Sequence, residues 1–567
     1  MLSILENIYG KSRAKLAAVR INALLEAFSR QKKIEHPGGF SEADTVLITY
    51  GDTLLQDKVS PLQTLARFMH RHLEGVFSGL HILPFYPFSS DDGFSVVDFF
   101  KVRPDLGNWQ DIQALGEKSR LMVDLVLNHV SAQSDWFRSY LKAETGFENL
   151  AIAVDPKIDL SAVTRPRSHP LLTPFDKQSG ERVHVWTTFS DDQIDLNYNS
   201  LEVLENMVRA LLFYVSQGAA IIRLDAIAYL WKQIGTSCIH LPQTHDMVRL
   251  FRCILDRVAP EVALITETNV PHAENINYFG NGDDEAQMVY NFSLGPLLLH
   301  ALSNSSARLL SDWCRDLAAP SENTTFFNFT ASHDGIGMRP LEGILDPIEI
   351  DQLIERMRRN GALVSMRRQT DGSEVPYEIN ITYFDALKDP EFDPDPLHIQ
   401  RFLASQAVAL VLPGVPAVYI HSLLGSRNWT EGVSTTGRAR SINRQQLSAD
   451  ALTHEIENPE SERGRVFQAY RHMIRVRSCQ PAFHPHADLQ VLGLDDQVFG
   501  VRRIKSDQTI FALTNLSAER RTINLHSKSA TSELNDLLSG RRVATGAVNL
   551  GPYDRVWLVP DPIETVT

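Results

Sequence analysis

Eight short stretches, each apolar along most of its length, recur through the chain with longer, mostly helical segments between them. They are "TVLITY" ending at Tyr50, "GLHILPF" at Phe85, "LMVDLVLNH" at His129, "AIIRLDA" at Ala226, "VALITET" near Thr268, "MVYNF" at Phe292, "TTFFNFTASHD" at Asp334 and "GVPAVYI" at Ile420. A strand that is apolar throughout is covered on both faces, as in a parallel sheet wrapped by helices. Eight of them predict an α/β fold built on a closed (β/α)8 barrel. A doubly wound sheet gives the same alternation, so the count supports the barrel without deciding it.

Two intervals are too long for one helix. About ninety residues separate the third and fourth strands and include "VTRPRSHPLLTPF"; about eighty separate the seventh and eighth and include "MRRQTDGSEVPYEINITYFDAL". Long insertions of this kind are lids or inserted subdomains. After about residue 480, "LQVLGL", "VFGVRRI", "TIFALTNL", "RRTINLH" and "RVWLVP" predict a small all-β domain. Residues 1–40 have helical periodicity, with Leu16, Val19, Ile21, Leu24, Leu25 and Phe28 on the expected apolar face, until "EHPGG" breaks it. The expected organisation is a helical extension (1–44), three barrel portions (45–130, 200–335 and 401–479), inserted subdomains (131–199 and 336–400) and a C-terminal β domain (480–567).

Charge excludes some partners. Lys and Arg total 55 against 69 Asp and Glu, a net −14, which argues against nucleic acid. No apolar run approaches the roughly 20 residues of a membrane span, and the N-terminus lacks a secretory signal pattern. Cys238, Cys253, Cys314 and Cys479 are sparse and share no CxxC spacing, so they read as reduced thiols. The expectation is a cytoplasmic protein acting on small molecules, with no membrane partner, metal or cofactor. The oligomeric state is left open.

Catalysis in a (β/α)8 barrel sits at the C-terminal strand ends. Here Asp225 follows "IIRL", Glu267 follows "ALIT", His333 and Asp334 follow "FNFTAS", His129 follows "LVLN", and Asp91 and Asp92 lie in "PFYPFSSDDGF". A lone Arg223–Asp225 pair could be a structural ion pair, and His129 alone a buried, hydrogen-bonded histidine. Several convergent acids on one rim repel each other and are hard to explain as structure. Two carboxylates on adjacent strands, with no Cys/His metal set and no phosphate loop, fit retaining glycoside chemistry, in which the pair stands about 5 Å apart. Arg223, on the same strand face as Asp225, favours an ionised nucleophile there; Glu267 is then the acid/base, and Asp334 stabilises the oxocarbenium-like charge. Asp124 and Asn128 read as organisers of the strand end. Cys238 reads as structural, and Asp283, Asp284 and Glu285 read as loop acids rather than a calcium loop. Arg367 and Arg368 read as a solvated patch.

"VDLVLNH", "IIRLDAIAY", "LITETN" and "FTASHDG" together resemble the four signature segments of the α-amylase clan, glycoside hydrolase family 13. "LHILPFYPFSSDDGF", "RLDAIAYLWKQIGTSCIHLPQTH", "LPGVPAVYI" and "RARSINR" resemble the sucrose phosphorylase-like subfamily over nearly everything after residue 45. The resemblance implies Asp225 as nucleophile, Glu267 as acid/base and Asp334 as transition-state stabiliser. It implies Asp91, His129, Arg223, His333 and Arg440 around the donor glucosyl ring, and Phe94 and Tyr229 as its aromatic platform. Arg167 in "RPRSHP" matches a basic residue near phosphate or acceptor. The acceptor loop departs from the usual sucrose pattern: "EVPYEIN" places Tyr377 and Glu378 there, which is similar to the glucosylglycerate phosphorylase group. The expected activity is phosphorolysis of an α-glucoside, foremost 2-O-α-D-glucosylglycerate. Alternatives are glucosylglycerol, sucrose or sucrose 6'-phosphate phosphorolysis, and hydrolysis or transglucosylation at the same donor site. A non-catalytic protein on this scaffold should have lost one of the three carboxylates, and none is missing.

Overall fold

The computed structural model describes residues 1–29, 38–317, 321–368, 373–526, 528–529 and 531–560. All eight apolar stretches form strands of one closed parallel barrel: β1 (Val46–Thr49), β2 (Gly79–Ile82), β3 (Arg120–Leu125), β4 (Ala219–Leu224), β5 (Ala263–Thr266), β6 (Met288–Tyr290), β7 (Thr325–Phe329) and β8 (Val415–Tyr419). Each strand pairs with the next along the chain, and β8 closes on β1 with Val46 opposite Ala417. Nearly every strand position is buried, which is why these stretches carry no polar alternation. The third is shorter than its apolar run. The chain leaves the barrel at Leu125, and His129–Ser131 pairs antiparallel with Gln193–Asp195 instead.

The two long intervals carry their own small sheets. The first holds that pair and a hairpin of Leu172–Asp176 with Arg182–Trp186. The second holds the helix Pro347–Arg359 and a three-stranded sheet of Ile336–Gly337, Glu374–Asn380 and Leu363–Arg368. C-terminal to the barrel, a six-stranded antiparallel sheet includes Val498–Lys505, Gln508–Asn515 and Arg555–Pro560. Two fully buried arginines join the chain after residue 480 to the barrel. Arg477 donates to the Leu410 and Phe483 carbonyls, at 2.8 and 3.1 Å, and Arg503 donates to the Val411 and His484 carbonyls, at 2.6 and 2.7 Å. Leu410 and Val411 end the helix His398–Val411, where carbonyls without helical partners favour cations.

The N-terminal helix, Leu2–Ser29, forms as expected, but its buried face differs. Gly10 adopts φ 73°, which interrupts the helix and resets the register of its C-terminal part. Leu5, Ile8, Tyr9, Ala14, Ala17, Ile21, Leu25 and Phe28 face the barrel helices Leu201–Ser216 and Pro242–Val258. Leu16 and Val19, expected inside, are 49% and 67% exposed. The small Ala14 and Ala17 allow close helix approach in their place. Of the breaking stretch "EHPGG", Glu35, His36 and Pro37 lie outside the described residues, as do 369–372 of the second insertion.

Candidate active site

The C-terminal strand ends open onto a cavity with about 740 Å³ of empty space. Asp91, Phe94, His129, Arg167, Asp225, Tyr229, Glu267, His333, Asp334, Tyr377 and Arg440 line it. Arg223 and Glu378 stand directly behind that wall, 2% and 1% exposed.

The two carboxylates owe their positions to the barrel register. Arg223 on β4 lies opposite Asp124 on β3 and Ile265 on β5. Its Nη1 bonds Asp124 and lies 2.6 Å from Asp225 Oδ1, while its Nη2 lies 3.9 Å from Glu267. His81 braces Asp124 from the other side at 2.7 Å. Beyond Asp225 the chain turns through Ala226 at φ 49°, a left-handed conformation that costs a non-glycine residue about 1 kcal/mol. That turn aims the Ala226 N–H at Glu267 Oε2, 3.0 Å away.

Burial raises Asp225 to about 7, against the pull of Arg223 and with a further push from Asp124 and Asp334. Burial likewise raises Glu267 to about 7; Arg223 opposes this, and Asp225 and Asp334 add to it. Near neutral pH the pair therefore holds about one proton between them. Asp334 differs. Burial pushes it up, but the guanidiniums of Arg440, Arg444, Arg223 and Arg167 outweigh that and hold it below the usual range. His129 and His333 are lowered chiefly by burial, so both are neutral imidazoles at neutral pH.

Two aromatic groups frame the cavity. Phe94 stacks on His333, with centroids 4.8 Å apart and ring planes nearly parallel. Tyr229 meets Phe189 edge-on at 5.4 Å. Asp91 and Asp92 both have positive φ, 53° and 48°, ahead of Gly93, where a Cβ would stand 2.6 Å from the Pro84 carbonyl oxygen. This tight turn separates the two acids: Asp91 lines the cavity, and Asp92 pairs with Arg438 at 3.2 Å and with Arg444.

The outer wall is basic but paired. Arg440, in the short helix Ala439–Asn443, touches Asp334 and binds Glu378 through two 2.9 Å contacts. Arg167 lies 3.8 Å from Glu378 and sits over the Tyr377 ring, 5.3 Å from its centroid.

Phe189, Gln193, Asn269 and Arg444 also belong to this site and carried no strand-end signal; Phe292, which ends "MVYNF", lines it as well. Gln193 approaches Asp91 at 3.3 Å and His129 at 3.0 Å. Arg444 donates to the His333 carbonyl at 2.8 Å; its place four residues after Arg440 in "RARSINR" was the available cue. Asp124 and Asn128 stay out of the cavity and brace the strand ends. Of the acids read as loop residues, Asp284 and Glu285 hold Arg249, and Glu285 also holds His245. Arg367 pairs with Glu342 at 3.0 Å.

A model of the α-amylase catalytic domain matches residues 75–334. The glucosylglycerate phosphorylase of Escherichia coli is 46% identical over 561 residues, 98% of each chain. The chain belongs to the α-amylase family, in the branch of the glucosylglycerate phosphorylases. A more distant relative, the glucosylglycerol phosphorylase of Marinobacter adhaerens, is 30% identical over 78% of this chain and 88% of its own. The crystal structure of sucrose 6F-phosphate phosphorylase from Thermoanaerobacter thermosaccharolyticum superposes with a TM-score of 0.75 at 26% identity, covering 91% of this chain and 99% of that one.

Proposed function

We propose that the chain is a retaining phosphorylase that converts 2-O-α-D-glucosylglycerate and inorganic phosphate to α-D-glucose 1-phosphate and D-glycerate. Asp225 attacks the anomeric carbon while Glu267 gives its proton to the departing glycerate oxygen. The resulting glucosyl ester on Asp225 is attacked by phosphate, whose proton passes to Glu267, and the α configuration is restored. Arg223 decides which carboxylate carries the charge. It lies closer to Asp225, so the shared proton rests on Glu267 in the resting enzyme. Asp334, ionised and opposite, stabilises the positive charge that develops on the sugar.

Phe94 and Tyr229 form the walls for the glucosyl ring; Asp91, His129, His333 and Arg440 hold its hydroxyls. Arg167 and Tyr377, from the segments 131–199 and 336–400, form the acceptor side. Arg167 is the more weakly held cation of that wall, which supports a charge-assisted contact to glycerate and to phosphate. The observation that carries the reading is the Asp225–Glu267 pair on adjacent strand ends under one guanidinium. The choice of glycerate rests on the full-length likeness to the Escherichia coli enzyme. A cytoplasmic location suits its four unpaired cysteines.

The test supplies glucosylglycerate with and without phosphate. Release of glucose 1-phosphate that depends on phosphate supports the reading, and equal release of free glucose in both makes the enzyme a hydrolase. In reverse synthesis from glucose 1-phosphate, D-glycerate should exceed glycerol, fructose and fructose 6-phosphate as acceptor. Glycerol as the better acceptor would replace glycerate.

A further inference from the structure

Two guanidiniums of the outer wall, Arg440 beside the donor ring and Arg167 on the acceptor side, already face a carboxylate of the protein itself. Arg440 meets Glu378 in a parallel two-point contact, Nε to Oε1 and Nη2 to Oε2, both at 2.9 Å. Arg167 faces the same side chain, Nη1 to Oε2, at 3.8 Å. Glu378 Oε1 also accepts the Gly335 N–H at 2.5 Å. A Cβ at Gly335 would stand 2.5 Å from Glu378 Cγ, so the chain is built around this carboxylate. A two-point contact between guanidinium and an oxyanion is the contact that a bound phosphate or carboxylate would itself make.

We propose that Glu378 is an internal counter-anion of the acceptor site, neutralising Arg440 and Arg167 and weakening the hold on every anion that reaches them. The inference rests on the phosphorylase reading. An anion arriving at Arg167 approaches a fixed negative charge in a buried place, where solvent screens little. Without that charge the wall would bind phosphate, glycerate and glucose 1-phosphate alike more tightly and release them more slowly. Glu378 keeps these anions exchangeable, so that acceptor and product can trade places during each cycle.

Glu378→Gln keeps the length and leaves an oxygen for the Gly335 N–H, but removes the charge. The probe is sulfate, an oxyanion that competes with phosphate. In Glu378→Gln, sulfate should inhibit about tenfold more tightly, a change worth about 1.4 kcal/mol. The KM for phosphate should fall with it, and the KM of the neutral acceptor glycerol in reverse synthesis should move far less. Sulfate and phosphate binding that is unchanged or weaker overturns the proposal, because Glu378 then merely holds Arg440 in place. Should Glu378→Gln fail to fold, Glu378→Met removes the same charge with a side chain of similar length, and the same direction is required of it. Wild type is measured alongside. If it releases no phosphate-dependent glucose 1-phosphate, the phosphorylase reading fails; if it does and the variant binds sulfate no tighter, the counter-anion proposal alone fails.

Discussion

Arg223 stands 2.6 Å from Asp225 and 3.9 Å from Glu267, so one guanidinium ranks two carboxylates that burial has raised to the same range, about 7. The asymmetry gives each acid one task. Asp225→Asn replaces the attacking oxygen with an amide and should cost several decades in kcat with the fold retained. The check is steady-state turnover beside a thermal melt, and near-wild-type turnover in a clean preparation would refute the role.

Glu267→Gln should lose turnover of the natural glucoside and keep most of its first-step rate on α-glucosyl fluoride, whose leaving group needs no proton. Comparing the two donors is the measurement. Equal losses on both would contradict an acid/base role.

Raised carboxyl pKa values also predict a pH-dependent stability. A carboxyl whose folded pKa exceeds its unfolded value of roughly 4.3 favours the folded state at low pH and loses that contribution as pH rises through the folded pKa, here about 7. Removing the Glu267 charge with Glu267→Gln should therefore raise the melting temperature at pH 8 and leave a smaller gap at pH 5. The full effect amounts to roughly 4 kcal/mol, since each pKa unit is worth about 1.4 kcal/mol. Melts across this range decide it, and a gap that widens toward acid would contradict the assignment.

Lys232 is 3% exposed at its side chain and holds Asp195 at 2.5 Å and Asn128 at 2.7 Å, pinning the chain after Tyr229 to the strand that carries Gln193. Lys232→Met leaves Asp195 buried without its cation and should cost about 3–5 kcal/mol. Lys232→Met with Asp195→Asn should recover part of that loss in denaturant unfolding; a double variant as unstable as the sum of both singles would show that the pair is not coupled.

Arg167→Ala should raise the KM for phosphate and for glycerate together, by about tenfold or more if a charge-assisted contact is lost. Unchanged values for both would remove Arg167 from the acceptor site.

The barrel and the acids at its mouth were legible because burial on both faces writes a plain apolar run, and a charge at its end then stands out. Asp225, Glu267 and Asp334 are visible in that way, and all three line the cavity. Phe189 and Gln193 were not, since they sit in an insertion whose path depends on pairing with His129–Ser131. Leu16 and Val19 misled for a different reason: periodicity gives a helix two candidate faces once a glycine such as Gly10 breaks its register. The place of Glu378 in the acceptor loop was legible in "EVPYEIN", but its pairing was not, because its partner Arg440 lies 62 residues away.

The most direct measurement is to trap the glucosyl-enzyme with a 2-deoxy-2-fluoro-α-glucosyl donor, map the label by peptide mass spectrometry and then add phosphate. A retaining phosphorylase with Asp225 as nucleophile predicts a label on Asp225 that phosphate releases as the α-configured fluoroglucosyl phosphate. A label on Glu267, or a trapped enzyme that water frees as fast as phosphate does, would contradict it.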